Sequence, residues 1–234
     1  LRGSAVGKAN GLAVHDRGYY AYGIPVVVSA RVAPGDGGVV NIEGESGLSG
    51  EIFDKAVLIL SGYLRSRYAR TFPLSITASV CFEQMYTPID GDSATAVQLC
   101  AILSAISVVP LRQDLPMTGS VNQLGDMQPV GGIPEKIEGF HSICAKRGLT
   151  GSQGVVIPRR NMVNLVLSDA VEADIRCGRF HIYAVGTIDQ ALEVLTGLDA
   201  GADDGSGNFP EASVNGAVSR ELLRMAEVIR SYET

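Results

Sequence analysis

Up to about Gly197 the chain alternates two kinds of hydrophobic spacing, every second residue and every third or fourth, the pattern of a mixed α/β domain. Ile24 to Val32 (IPVVVSARV) is rich in β-branched residues and opens on Ile-Pro, which predicts a strand. Gly35-Asp36-Gly37-Gly38 predicts a turn, and Val39-Val40-Asn41-Ile42 a partner strand returning as a hairpin. From Glu51 to Arg67, Ile52, Ala56, Ile59 and Tyr63 fall at helical spacing, with Arg65 and Arg67 in the last turn. Leu74 to Phe82 alternates as a further strand.

Ala94 to Ser107 is nearly all apolar or small and predicts a helix buried on most sides. Pro134 to Cys144 carries Ile137, Phe140, His141 and Cys144 at helical spacing. Val155-Val156-Ile157 is a short strand ending at Pro158, Phe180 to Val185 is another, and Thr187 to Leu195 is a helix closed by Gly197. The composition then changes. Residues 1–199 read as one domain, 200–217 as a flexible linker rich in Gly, Asp, Ser and Asn, and 218–234 as an amphipathic C-terminal helix. No internal repeat is visible.

Composition narrows the function classes. The chain of 234 residues is 46% hydrophobic and 19% charged, enough apolar material for a core and too little charge for disorder. Its formal net charge of −6, without Lys/Arg runs, argues against nucleic acid and against a polybasic membrane surface as partners. No apolar run reaches the length of a membrane span, and Leu1-Arg2-Gly3-Ser4 lacks a signal-peptide core. Cys81, Cys100, Cys144 and Cys177 are scattered, with no metal-ligand spacing, and read as reduced thiols of a reducing, cytoplasmic compartment.

Candidate chemistry concentrates in three segments. In Asp90-Gly91-Asp92-Ser93-Ala94-Thr95-Ala96 a loop gives way to the buried helix, placing the Ser93 hydroxyl near backbone N–H groups able to hold an oxyanion. Asp92 or Ser93 can equally be an ordinary N-cap. In Pro129-Val130-Gly131-Gly132-Ile133-Pro134-Glu135-Lys136-Ile137, Lys136 falls in the first turn of a helix if Pro134 opens it. The macrodipole and the flanking isoleucines would then disfavour its ammonium form and supply a neutral amine as general base. A solvated lysine balanced by Glu135 or Glu138 is the alternative. In Pro116-Met117-Thr118-Gly119-Ser120, the Thr118 hydroxyl can orient a buried amine or simply be a turn residue.

Only three histidines are present (His15, His141 and His181), and none has a companion motif, so Ser-Lys fits better than Ser-His-Asp. Gly3-Ser4-Ala5-Val6-Gly7-Lys8-Ala9 imitates a phosphate loop but has three residues between its glycines and no Ser/Thr after the lysine. It implies no ATP site.

GDSATA (91–96), MTGS (117–120) and PVGGIPEKIEGF (129–140), in this order, closely resemble the protease domain of the Lon family. The resemblance begins at GKANGLAV (7–14) and runs through Arg147-Gly148-Leu149, VVIP (155–158) and FHIYAV (180–185) to about Gly197. The interval from Ser93 to Lys136 also matches. The acidic Asp92 before the serine resembles the B-type subgroup of archaeal and some bacterial members; Asp90 and Thr95 replace its usual Glu and Ser.

The resemblance implies Ser93 as nucleophile, Lys136 as base, and Thr118 as the hydroxyl touching the lysine. It suggests that Asp92 pairs with Lys136 in a resting state. It implies a fold like domain 2 of ribosomal protein S5 and a serine endopeptidase of unfolded or damaged proteins. It further implies hexameric rings and an AAA+ module, absent from this chain, that supplies ATP and Mg; the domain itself needs no metal or cofactor. Two competitors remain at this stage: a small-molecule kinase of the GHMP class, and a non-catalytic ring or adaptor module.

Overall fold

The computed structural model describes residues 2–232; Leu1 and positions 233 and 234, the end of the expected C-terminal helix, lie outside them. The architecture is mixed α/β. Its central sheet has the strand order β2 (Lys8–Asp16), β3 (Ala21–Pro34), β5 (Ile76–Glu83), β4 (Gly38–Asn41). The β2–β3 and β3–β5 pairs are antiparallel, and β4 runs parallel to β5. The expected hairpin between β3 and the segment at Val39 is therefore not formed. Only one strand can take the central position beside β3. β5 takes it because Ile76, Ala78, Val80 and Phe82 give it one wholly buried face, whereas β4 beyond Gly38 is half-buried.

On the other flank, Met117 bridges in parallel to both Gly11 and Val156. The sheet thus continues, through one residue of contact, into the parallel pair β9 (Gly154–Pro158) and β10 (His181–Val185). Two short antiparallel pairs complete the strands: β1 (Ser4–Ala5) with β6 (Leu111–Arg112), and β7 (Ser120–Val121) with β8 (Met127–Gln128). The Gly3–Ala9 segment is accordingly strand, turn and strand.

The helices are α1 (Ile42–Glu45), α2 (Glu51–Tyr68), α3 (Thr95–Ser107), α4 (Ile133–Arg147), α5 (Asp169–Arg176), α6 (Ile188–Thr196) and α7 (Val214–Tyr232). In α2 the buried face is Phe53, Val57, Leu60 and Leu64 together with Ala56 and Tyr63, while Ile52 is 55% exposed. α3 is buried on nearly every side, as its composition requires. α6 is capped by the Thr187 side chain and closed by Gly197 in the left-handed conformation (φ 75°).

Strand pleating assigns the helices to faces. Gly11 and its neighbour Val26 look toward Val97 of α3, whereas Gly23 and Val14 look toward Lys136 and Gly132 at the start of α4. α3 and α4 thus lie on opposite faces of the sheet. The larger core joins the sheet to α2, α3, α6 and α7; a second cluster joins Leu12, Ile133, Ile137, Phe140, Val155 and Phe180.

Residues 200–217, expected as a linker, are held at several points. Arg70 pairs with Asp203 at 2.8 Å. Asn215, fully buried, donates to Gly201 O at 2.8 Å and accepts from the Tyr68 hydroxyl at 2.7 Å. α7 starts at Val214 rather than 218 and buries Val218, Leu222 and Met225 in the larger core. Polar composition suggested looseness; the segment is instead held partly by its own side chains, Asp203 and Asp204 accepting from amides at 205–208, and partly by the distant Arg70 and Tyr68. Among the described residues, no helix is long and apolar enough to cross a membrane.

Candidate active site

The loop from β5 to α3 carries Ser93 and is anchored at both ends. Ile89 N donates to Leu48 O and Gly50 N donates to Ile89 O, each at 2.9 Å. The Asp90 carboxylate accepts from Phe53 N at 3.1 Å, in the first turn of α2, and from Gly91 N at 2.8 Å. Gly91 has φ 98°, a region that favours glycine. At the other end the Ser93 carbonyl accepts from Gly119 N at 2.8 Å and from the Thr118 hydroxyl at 3.2 Å.

Ala94 is the N-cap of α3, with no side-chain cap, so neither Asp92 nor Ser93 serves that role. The amides of Thr95 and Ala96 are already engaged, donating to Asp92 O and Gly119 O at 3.0 and 3.1 Å. An oxyanion beside Ser93 is therefore not met by these two amides of the helical turn.

Lys136 arrives from the opposite face. α4 starts at Ile133 after Gly132, which has φ 69°, and Pro134 occupies the second helical position. The first turn lies against β3 so closely that a Cβ on Gly23 would stand 2.3 Å from Glu135 O and 2.5 Å from Lys136 Cα. A Cβ on Gly139 would stand 2.0 Å from Gly23 O. Only glycine at both positions permits this approach. From there the Lys136 side chain reaches round the edge of β2, and Nζ lies 3.0 Å from Ser93 Oγ and 2.9 Å from Thr118 Oγ1.

Thr118, fully buried, is held by its own N–H to Val156 O at 3.1 Å, directly after the Met117 bridge. Its hydroxyl proton goes to the Ser93 carbonyl, so toward Lys136 it can only accept. A neutral amine that gives one N–H to Thr118 keeps its lone pair for the Ser93 hydroxyl. The three side chains named from the sequence are thus brought together in one contact.

Lys136 is 3% exposed. Burial, which penalises the ammonium, lowers its pKa to about 8; the carboxylates of Asp92 and Glu135 act in the opposite direction. Asp92 itself is exposed and forms no ion pair with Lys136 in this arrangement, so its effect there is through space.

A cleft of about 600 Å³ opens beside Ser93 and Lys136. Its walls include Val26, Phe82, Met85 and Ile89, with His15 and Asp16 further along β2. His141 is occupied elsewhere, its Nε2 lying 2.6 Å from Asp174 Oδ2, and His181 Nε2 lies 2.8 Å from Gly151 O. No histidine hydrogen-bonds Ser93 among the described residues. Nor do the described residues contain a group of three or more His, Cys, Asp or Glu that could hold a metal ion. Three contributors were not visible in the sequence: Gly23 and Gly139, whose role depends on a non-local approach, and Asp90 as the anchor to α2.

Residues 2–197 match the family described as the Lon protease (S16) C-terminal proteolytic domain, and the match ends at the C-cap of α6. The chain is 41% identical over 201 residues to a Lon protease homolog of Escherichia coli (strain K12), covering 84% of this chain and 34% of that protein. It is 42% identical over 200 residues to a homolog from Haemophilus influenzae, covering 85% and 33%. An archaeal Lon protease from Thermococcus kodakarensis is 34% identical over 196 residues, covering 82% and 28%. The chain therefore spans about a third of the length of these curated relatives.

Proposed function

The chain belongs to the Lon protease (S16) C-terminal proteolytic domain family, and from that premise we propose that it hydrolyses peptide bonds with Ser93 as nucleophile and Lys136 as general base. The observation that carries this reading is the buried Lys136 amine, 3.0 Å from the Ser93 hydroxyl in a site that lowers its pKa to about 8.

The chemistry follows from the hydrogen-bond order. Ser93 Oγ attacks the scissile carbonyl as its proton passes to the Lys136 lone pair, and the carbonyl oxygen becomes an oxyanion. When the intermediate collapses, the Lys136 ammonium returns that proton to the departing amine, leaving an ester on Ser93. Lys136, neutral again, takes a proton from water as its oxygen attacks the ester; when that second intermediate collapses, the bond to Ser93 Oγ breaks, Lys136 returns the proton to Oγ, and the acid product leaves. Thr118 holds Nζ in place throughout by accepting one of its N–H groups. No step calls for a metal or cofactor in this domain.

The apolar cleft walls suit an unfolded polypeptide, whose apolar side chains are accessible, and the substrates proposed are unfolded or damaged proteins. We further propose that an AAA+ ATPase module carrying ATP and Mg delivers such chains, within a hexameric ring in the cytoplasm. Asp92 is assigned a resting-state role, pairing with the Lys136 ammonium when the loop shifts. A kinase reading is disfavoured because the amides of Thr95 and Ala96, which would cradle phosphate at the start of α3, are already engaged.

The test is degradation of an unfolded protein by this chain, with Ser93→Ala and Lys136→Ala as controls. Both variants should fold and lose cleavage, and a peptide boronate should label wild-type Ser93. Turnover persisting in Lys136→Ala would refute the assignment; failure of the boronate to label a folded wild-type protein would favour a non-catalytic module.

A further inference from the structure

The cleft continues past the reacting groups along residues 12–16 of β2, whose odd-numbered members lie on the sheet face that carries α3. Ala13 and His15 are on that face of β2, opposite Ile24 and Tyr22 of β3. His15 lines the same cleft as Ser93 and Lys136. Its ring stacks on Tyr22, with centroids 5.8 Å apart and planes at 17°, and Tyr22 stacks in turn on Tyr20 at 5.8 Å and 20°.

Cross-strand stacking stabilises a hairpin, which accounts for His15 and Tyr22. It does not account for a third ring. Tyr20 is 63% exposed, and the turn closes without any ring, through Arg17 N to Tyr20 O at 3.0 Å and Gly18 N to the Asp16 carboxylate at 2.7 Å. His15 and Tyr22 are half-buried and Tyr20 is exposed, so the stack offers ring surface to solvent beside the cleft, a feature of binding surfaces.

On the reading of this cleft as a peptide-hydrolysis site, we infer that the His15–Tyr22–Tyr20 stack is a remote subsite taking an aromatic side chain of the substrate polypeptide. The stack reaches the cleft at His15, while Tyr20 and Tyr22 border a second groove beside α4; a chain reacting at Ser93 and running along β2 passes His15 and can seat a side chain against the stack. β2 is level with Met117 and Thr118 at Gly11, and His15 stands about 13 Å further along the strand. An extended substrate advances at the same rate, so the ring it presents belongs roughly four residues from the scissile bond. Stacking on a pre-formed ladder adds affinity without touching the reacting bond, so it changes KM and leaves kcat alone.

Two peptides differing only by Phe or Ala at that remote position test this, using wild-type protein for turnover and Ser93→Ala for binding. The Phe peptide should show a KM, and a Kd on Ser93→Ala, about 3- to 10-fold lower, at equal kcat. Tyr20→Ala and Tyr22→Ala should erase the difference, while Tyr20→Phe and Tyr22→Phe should retain it and exclude a folding defect. Ser93-dependent cleavage without discrimination in wild type would sink the subsite and leave the hydrolase reading standing. So would discrimination that survives in the double alanine variant. A change of mass in solution with discrimination unaltered would assign the rings to contact between copies of the chain. If neither peptide is cleaved yet Ser93→Ala still prefers Phe, the hydrolase reading fails and the aromatic subsite stands.

Discussion

The Thr118 hydroxyl donates to the carbonyl oxygen of Ser93 at 3.2 Å while accepting from Lys136 Nζ at 2.9 Å. One side chain therefore fixes both the peptide of the nucleophile and the direction of the base. Because its proton is spent on Ser93, Thr118 cannot compete for the lysine lone pair. Thr118→Val, nearly isosteric, should lower kcat on the order of 100-fold by releasing Nζ from its orientation. Thr118→Ser should stay within a few-fold of wild type. Equal turnover in the valine and serine variants, measured on one peptide, would show that the hydroxyl orients nothing.

The base must be neutral to accept the serine proton, so the rate should rise with pH and level off above the Lys136 pKa of about 8. At pH 7 roughly one molecule in ten has the amine ready. The same shift bears on stability. The folded state holds Lys136 less well protonated than the unfolded chain, whose lysine keeps its usual value near 10.5. The unfolded state thus binds more protons between about 8 and 10.5, and stability gains from rising pH across that window. Below it the full penalty of a buried ammonium remains. Lys136→Met should therefore abolish turnover and raise unfolding free energy at pH 7, on the order of 2–3 kcal/mol. Denaturant melts of the two proteins at pH 7 and pH 10 check this, because the gap should shrink at the higher pH.

Gly23 and Gly139 form the contact that lowers the first turn of α4 onto β3. An added methyl at Gly23 would meet backbone at 2.3 and 2.5 Å, and neither atom belongs to a flexible side chain. Gly23→Ala must displace the helix that carries Lys136. The expected result is a kcat loss on the order of 100-fold with a modest stability cost of about 1–3 kcal/mol. The limb of the pH–rate profile should also move upward from 8 as water reaches the amine. Val171→Ala, which loosens the same second core cluster away from this contact, should lower stability and leave that limb in place.

Much of this was legible from residue order because the informative features are local. The strand at Ile24, the buried helix at Ala94 and the Thr187–Gly197 caps depend on near neighbours, and the segments holding Ser93, Thr118 and Lys136 carry dense local signatures. The misplaced features depend on partners far along the chain. Nothing near Val39 reveals that β5 displaces β4 from the side of β3. Local spacing runs the apolar stripe of α2 through Ile52 and Ile59 because apolar residues also occupy its outer face, Leu58 being 73% exposed. Residues 200–217 looked unstructured because their order rests on Arg70 and Tyr68, more than a hundred positions away. Gly23 carries no local signal at all; its necessity exists only once α4 is in place.

α2 begins after Gly50, which has no side chain with which to cap its own helix, and Asp90 supplies the acceptor for Phe53 N instead. A carboxylate there also answers the positive end of the α2 macrodipole. Loop and helix thus fasten each other. Asp90→Ala should cost about 1 kcal/mol, as loss of an N-cap does. It should also speed hydrogen exchange at Phe53 and Gly91, the two amides that donate to the carboxylate. Asp90→Asn keeps an acceptor and should recover most of the protection. Gly50→Ala attacks the same junction from the other side, since its Cβ would stand 2.4 Å from Asp90 Cγ, and should give the same exchange pattern as Asp90→Ala. If both variants loosen Phe53 and Gly91 yet turnover is unchanged, the loop reaches its working geometry without this carboxylate, and the backbone bonds of Ile89 with the grip of Thr118 and Gly119 on the Ser93 carbonyl are sufficient.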